Sequence, residues 1–206
     1  LDINQLTLHM RNQTKKTINH KRVYRLMKVQ GIQSVIRRKR KRYANATPQQ
    51  VAENVLNREF HADAPNEKWL TDVTEFKYGL GQKAYLSAIL DLHDKSIVSY
   101  VLGPSNNNLL VFQTLKLALQ AAPGSSPMLH SDRGYQYTSL VFKKLLNENK
   151  LSQSMSRVGR CIDNGPMESF WGTLKCEKYY LQTYHTFEEL EWDIEAYIHF
   201  YNNERL

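Results

Sequence analysis

Hydrophobic and polar positions change period several times along this chain. Over residues 2–12, Ile3, Leu6, Leu8 and Met10 recur in a mixed but helical pattern. A second helix is predicted to start after Thr17 or Asn19, to carry Val23, Leu26 and Met27 on one stripe, and to stop at Gly31. Pro48, Pro65 and a run of polar residues then break the pattern, and helical spacing returns only briefly over residues 49–57. From Lys68 the sequence reads as strands. "KWLTDVTEF" (68–76) is rich in β-formers, and "KAYLSAILDLH" (83–93) is a nearly continuous apolar run suited to a strand buried on both faces. After an Asp94-Lys95 turn, "SIVSYVLG" (96–103) is its hairpin partner. Helical spacing over residues 106–122 places Leu110, Thr114, Leu117 and Ala121 on one stripe, with a Pro123-Gly124 stop. It leads to the strand "PMLHSD" (127–132), and a helix over 139–149 leads to the strand "LSQSMS" (151–156). Two more helices follow. One opens near "DNGP", with Asp163 or Asn164 as cap and Pro166 in its first turn; the other is the acidic amphipathic "TFEELEWDIEAYIHFYNNERL". Three strands followed by helix–strand–helix–strand–helix imply an antiparallel meander extended by two parallel crossovers. The expected fold is α/β, a mixed five-stranded sheet with helices on its faces.

Charge divides the chain differently. The net charge is +8, but residues 1–50 hold thirteen Lys and Arg against one acid, Asp2, while the remainder holds fifteen against nineteen acids. A basic front module on a mildly acidic body suggests a nucleic-acid grip attached to another function, and a merely solubilising tail is the plainer alternative. The two front helices fit the end of a helix-turn-helix unit with Lys21, Arg22 and Arg25 facing DNA; an ordinary hairpin with a solvated basic face fits them too. "RRKRKR" (Arg37, Arg38, Lys39, Arg40, Lys41, Arg42) follows directly and favours DNA contact, although such a run also serves as a localisation signal. Binding through these cations is expected to depend strongly on salt. The resulting division is a helical basic DNA-binding segment at 1–45, a linker at 46–64, and a catalytic core at 65–206. No apolar run reaches the length of a membrane span. Cys161 and Cys176 form no metal-binding pattern with the seven histidines and read as free thiols of a reducing compartment.

Three acids coincide with element ends. Asp72 lies within the first strand with Thr74 on the same face, Asp132 ends the fourth strand, and Glu168 sits in the first turns of a helix. Each alone has an ordinary explanation: a strand-edge acid, a turn-former beside Gly134, a charge favoured by the helix dipole. Together they read differently, because Asp72 interrupts a buried strand and a buried acid needs a partner. Three converging carboxylates repel one another unless a cation joins them, and an all-oxygen donor set suits Mg²⁺ or Mn²⁺. Two such ions serve in-line phosphoryl displacement.

"WLTDVTEF", "LHSDRGYQYTS" and "DNGPMESFWGTLKCE" resemble the three catalytic motifs of bacterial insertion-sequence transposases with a retroviral-integrase-type core. Thirty-five residues separate Asp132 from Glu168, the spacing of that Asp-Asp-Glu class. Lys175 matches the basic residue that follows the catalytic Glu, and "NHKRVYRLMKVQGIQSVIRRKRKR" resembles the preceding DNA-binding segment. The resemblance implies a ribonuclease-H-like sheet preceded by a small helical basic module. It implies strand cleavage at element ends, then attack of a DNA 3′-hydroxyl on a target phosphodiester, in the bacterial cytoplasm and on the nucleoid when DNA is bound. Asp72, Asp132 and Glu168 are then expected to hold two Mg²⁺ or Mn²⁺ ions. Lys175 is expected to meet a phosphate of the element end, with Gly172 admitting the DNA backbone. The partners implied are double-stranded DNA, as terminal inverted repeats and target, and further copies of the chain. Tyr135 and Gly165 stand where many relatives carry Ser and Ala, and the His/Cys zinc module of retroviral integrases is missing. The chain also reads as shortened at both ends. Trp69, Trp171 and Trp192 suit core packing better than base stacking. A hydrolytic nuclease on the same scaffold, and a DNA-binding regulator using only residues 1–50, are the rival readings.

Overall fold

A computed structural model describes residues 3–32, 51–157 and 161–205. The front unit is a pair of helices, α1 (Ile3–Thr14) and α2 (His20–Val29). Of the two caps expected for α2, Asn19 is the one used: its side chain accepts from Lys21 N at 2.9 Å. Arg11 closes the intervening turn by donating twice to the Ile18 carbonyl, at 2.6 and 2.8 Å. Val23 and Met27 turn inward while Lys21, Arg22 and Arg25 are exposed. The basic run at Arg37, Arg38, Lys39, Arg40, Lys41 and Arg42 lies outside the described residues.

The sheet comprises β1 (Lys68–Tyr78), β2 (Gln82–Asp91), β3 (Ile97–Gly103), β4 (Met128–Ser131) and β5 (Ser152–Met155), in the order β3-β2-β1-β4-β5. The first three form the antiparallel meander, and β4 and β5 add in parallel, as the element order requires. Four helices cover it: α3 (Asn108–Ala121), α4 (Leu140–Glu148), α5 (Gly165–Glu177) and α6 (Phe187–Asn203). Strand periodicity divides the core in two. Trp69, Ile89 and Leu129 pack with Val111 and Leu115 of α3 and Phe142 and Leu146 of α4. Leu70, Phe76, Ala88 and Leu90 pack with Phe170 and Leu174 of α5 and Leu190, Ile194 and Ile198 of α6.

Two expectations fail here. Residues 51–57 are not helical. They run along β5 instead, with Met155 N donating to Glu53 O at 3.1 Å and Leu56 N to Ser154 Oγ at 3.0 Å, and Leu56 is fully buried. The strand's free edge offers backbone partners that an isolated helix of this length cannot match. The second concerns the start of α5, where a 3-10 turn (Cys161–Asn164) precedes the helix and neither Asp163 nor Asn164 makes a side-chain cap. Both side chains are used elsewhere, as described below.

Among the described residues no helix is long and apolar enough to cross a membrane. Cys176 is a buried free thiol. At the far end, α6 starts with the reciprocal Thr186–Glu189 capping arrangement. It is tied to α5 through Glu177, which accepts from Tyr197 Oη at 2.7 Å and from Arg205 at 3.1 and 3.2 Å.

Candidate active site

Asp72 occupies the middle of β1, opposite Ala88 of β2, on the sheet face that α5 and α6 cover. On the other side of β1, β4 pairs in parallel with Leu70 opposite His130. Continuing that register by two residues carries Asp132 alongside Asp72, just past the end of β4. The two carboxylates therefore feel each other. Burial first, then the charge of Asp132 and more weakly that of Glu168, push the Asp72 carboxyl up to about 8, against hydrogen bonds from Val73 N and the Trp171 indole. Asp132 keeps contact with solvent at the mouth of the site, yet the protein around it is dense enough that desolvation also raises its carboxyl.

The turn after β4 is built around Asp132. Its Oδ1 accepts from Gly134 N at 2.8 Å. A Cβ added at Gly134 would lie 2.9 Å from that oxygen and 3.1 Å from Gln136 Oε1, so the turn needs glycine for close approach. Tyr135 donates its hydroxyl to Asn106 O and Gln136 donates to Asn106 Oδ1, fastening the turn to the start of α3. Beneath it Tyr137 is buried, its hydroxyl 3.3 Å from Thr71 Oγ1. Burial, then the negative charges of Asp72 and Asp132, hold that phenol well above the ordinary range, so it stays protonated.

α5 brings the third acid. Asn164 Nδ2 donates to Thr71 O at 3.3 Å, and one turn later Glu168 stands half-buried within electrostatic reach of Asp72. Trp171, three residues on, donates its indole N–H to Asp72 Oδ2 at 3.0 Å. Asp163 anchors the approach to the helix. Its fully buried carboxylate accepts from Arg58 Nε at 2.7 Å, from Arg157 Nε and Nη2 at 2.9 Å each, and from Asn54 Nδ2 at 3.1 Å. Hydrogen bonds from Arg157 foremost, then from Arg58, hold it well below the usual carboxylate range against the cost of burial. His130, in β4, lies between Ser154 Oγ at 2.8 Å and Ser156 Oγ at 3.1 Å, and burial lowers its pKa to about 4, so it is neutral.

Lys175 departs from expectation. It shares the α5 face with Glu168, but it is buried, not turned out toward a phosphate. Its ammonium donates to the Thr74 hydroxyl and, at 2.9 Å, to Glu75 O, and lies 4.7 Å from the Phe76 ring centre. The reason is proximity: α5 packs along β1 closely enough that the hydroxyl, the carbonyl and the aromatic face meet the cation at once. Trp171 is buried in the core, as expected, and its indole contact with Asp72 is the functional feature that the sequence reading missed. Its spacing of three from Glu168 is the signal that places it on the acid's own helix face.

The donor chemistry fits a hard divalent cation. All the donors are carboxylate oxygens, and burial together with the charge of Asp132 makes Asp72 favour a proton that such an ion would displace. Glu168 is within reach of their field, but among the described residues no three His, Cys, Asp or Glu side chains stand close enough together to hold a metal ion as they are.

Residues 62–161 match the integrase core domain family, residues 168–206 a second integrase core domain family, and residues 4–40 an HTH-like domain. The chain is 44% identical over 189 residues to an uncharacterized transposase-like protein of Haemophilus influenzae, covering 92% of this chain and 87% of that one. It is 42% identical over 202 residues to InsK of Escherichia coli, which is named as a transposase for insertion sequence element IS150, covering 98% of this chain and 70% of that one. In fold it resembles the HTLV-2 integrase catalytic core domain, solved in complex with magnesium in a dimeric form. That likeness has a TM-score of 0.55 and 19% identity, over 69% of this chain and 90% of the other.

Proposed function

This chain belongs to the insertion-sequence transposases with an integrase-type, ribonuclease-H-like catalytic core, and from that premise we propose that Asp72, Asp132 and Glu168 are its ion-holding catalytic acids. The enzyme is a polynucleotidyl transferase that cleaves DNA strands and transfers them in transposition. The observation that supports the assignment is geometric: the β1–β4 register carries Asp132 alongside Asp72, and Trp171 of α5 donates to Asp72 at 3.0 Å, which brings the helix bearing Glu168 against the same strand. Two Mg²⁺ or Mn²⁺ ions held there would help activate the attacking oxygen and stabilise the departing one.

The protein's part is positioning and exclusion. Asp132 is fixed by the Gly134 N–H, so its second oxygen is free to turn toward a ligand. Glu168 would be the third residue to hold an ion, from the α5 face that also carries Trp171. Tyr137 and Trp171 are buried near Asp72 in the cores on the two faces of the sheet, which lowers the local dielectric around that carboxylate and strengthens charge interactions there. The attacking group is a DNA 3′-hydroxyl or water, and no covalent link to the protein is needed.

The division at residues 45 and 64 assigns the front helices to DNA and the rest to chemistry. The exposed Lys21, Arg22 and Arg25 of α2 are read as phosphate contacts, with Arg37 to Arg42 continuing the grip. The partners are the terminal repeats of the element, a target duplex, and other copies of the chain assembled on DNA. The test is to incubate the chain with Mg²⁺ and labelled duplexes bearing the ends of its element. Joined products are expected; shortened products alone would make it a hydrolytic nuclease.

A further inference from the structure

We propose that Trp171 is a positioning residue for strand transfer: its indole N–H fixes one carboxylate oxygen of Asp72 and leaves the other for the divalent ion. The inference rests on the assignment of Asp72, Asp132 and Glu168 as ion-holding acids. It comes from how α5 meets β1. Asn164, at the head of the helix, and two side chains of α5 itself reach the strand in the same order along both elements. Asn164 donates to Thr71 O at 3.3 Å, Trp171 to Asp72 Oδ2 at 3.0 Å, and Lys175 to the Thr74 hydroxyl and, at 2.9 Å, to Glu75 O. Two of these contacts end on backbone carbonyls or a hydroxyl. The middle one ends on an acid at the centre of the site.

Packing alone does not require this. Trp171 is 6% exposed and its ring touches Phe170, with centroids 5.0 Å apart, so a phenylalanine would fill much of the same space. The indole N–H is what differs, and a buried N–H needs an acceptor. Its acceptor here is Oδ2 of a carboxylate that also accepts from Val73 N, and the two oxygens together still have lone pairs to spare for an ion. Because Trp171 follows Glu168 by three residues, one helix face carries both an acid of the site and the donor that orients another. A rotation of α5 about its axis would lose both together. Hydrogen bonds of this kind to an ion-holding side chain set its orientation and basicity, and losing one costs about ten- to hundredfold in ion affinity or activity.

The experiment is Mg²⁺ titration of the full chain on an end duplex, for the wild type, Trp171→Phe and Asp72→Asn, by calorimetry and by the rate of end joining. Trp171→Phe is expected to keep a wild-type thermal transition while its Mg²⁺ affinity falls about ten- to hundredfold. Unchanged affinity and unchanged joining in the folded variant would overturn the inference. Should Trp171→Phe fail to fold, the wild type decides. The ¹H–¹⁵N signal of the Trp171 indole, assigned through the backbone, is expected to shift with Mg²⁺ and to broaden with Mn²⁺, while that of the exposed Trp192 does neither. A Trp171 signal unmoved at saturating Mg²⁺ sinks the proposal. If Asp72→Asn binds Mg²⁺ and joins ends like the wild type, it is the assignment of the acids that fails.

Discussion

At Gly134 one methyl group would meet Asp132 Oδ1 at 2.9 Å, a contact the turn can relieve only by rotating the carboxylate off its Gly134 N–H anchor. Gly134→Ala is therefore expected to fold normally and to lose end joining by on the order of a hundredfold, as misplaced reacting groups do. Unaltered joining would show that the anchor is dispensable. Asp72 makes a second residue-scale prediction. Its folded value of about 8 lies above that of a free aspartate, so between those values the folded chain holds a proton that the unfolded chain has released. Stability is thus greatest at low pH and declines as pH rises through that window. With divalent ions chelated, the thermal midpoint of Asp72→Asn should gain on the wild type steadily from about pH 4 to pH 8. A constant difference would mean that Asp72 ionises without strain.

Among the elements, α5 depends on an anchor outside itself. Asp163 collects Arg58, Arg157 and Asn54 around a fully buried carboxylate just before the helix begins. Both arginines are partly exposed and can return to water, so Asp163→Asn is expected to cost about 2–3 kcal/mol, not the full penalty of a buried unpaired charge. Because the folded carboxyl is depressed, its contribution is present above about pH 4 and fades as pH falls below it, so wild type and variant should converge in acid. Denaturant unfolding at neutral and acid pH checks both statements. The elements themselves were legible in the sequence. Continuous apolar runs and stop signals located all five strands and the helices to within a few residues, and the element order gave the mixed sheet. The segment at 51–57 was not legible as an edge cover, because its partners Ser154 and Met155 are about a hundred positions away. Lys175 and Trp192 were misread for a related reason: Lys175 is buried, and Trp192, expected to pack in the core, is exposed. Helix periodicity gives the face a residue occupies, but not whether that face meets solvent or another element.

For the molecule as a whole, the division into a basic front and an acidic body could be read directly from charge, and both parts match families of the expected kind. The nearness of Asp132 to Asp72 was only partly legible. Their placement at element ends pointed to a common crevice, since parallel strands deliver their carboxyl ends to one side of the sheet. The register that sets Asp132 beside Asp72 is fixed by the β1–β4 pairing, which no local pattern encodes. The same pairing sets the charge of Asp132 against a buried Asp72 and, with burial, raises the Asp72 carboxyl. The most direct test is end joining in Mg²⁺ by Asp72→Asn, Asp132→Asn and Glu168→Gln, each verified as folded. All three are expected to form no joined product while still binding end DNA. Joining at the wild-type rate by any one of them would contradict the assignment of the acids.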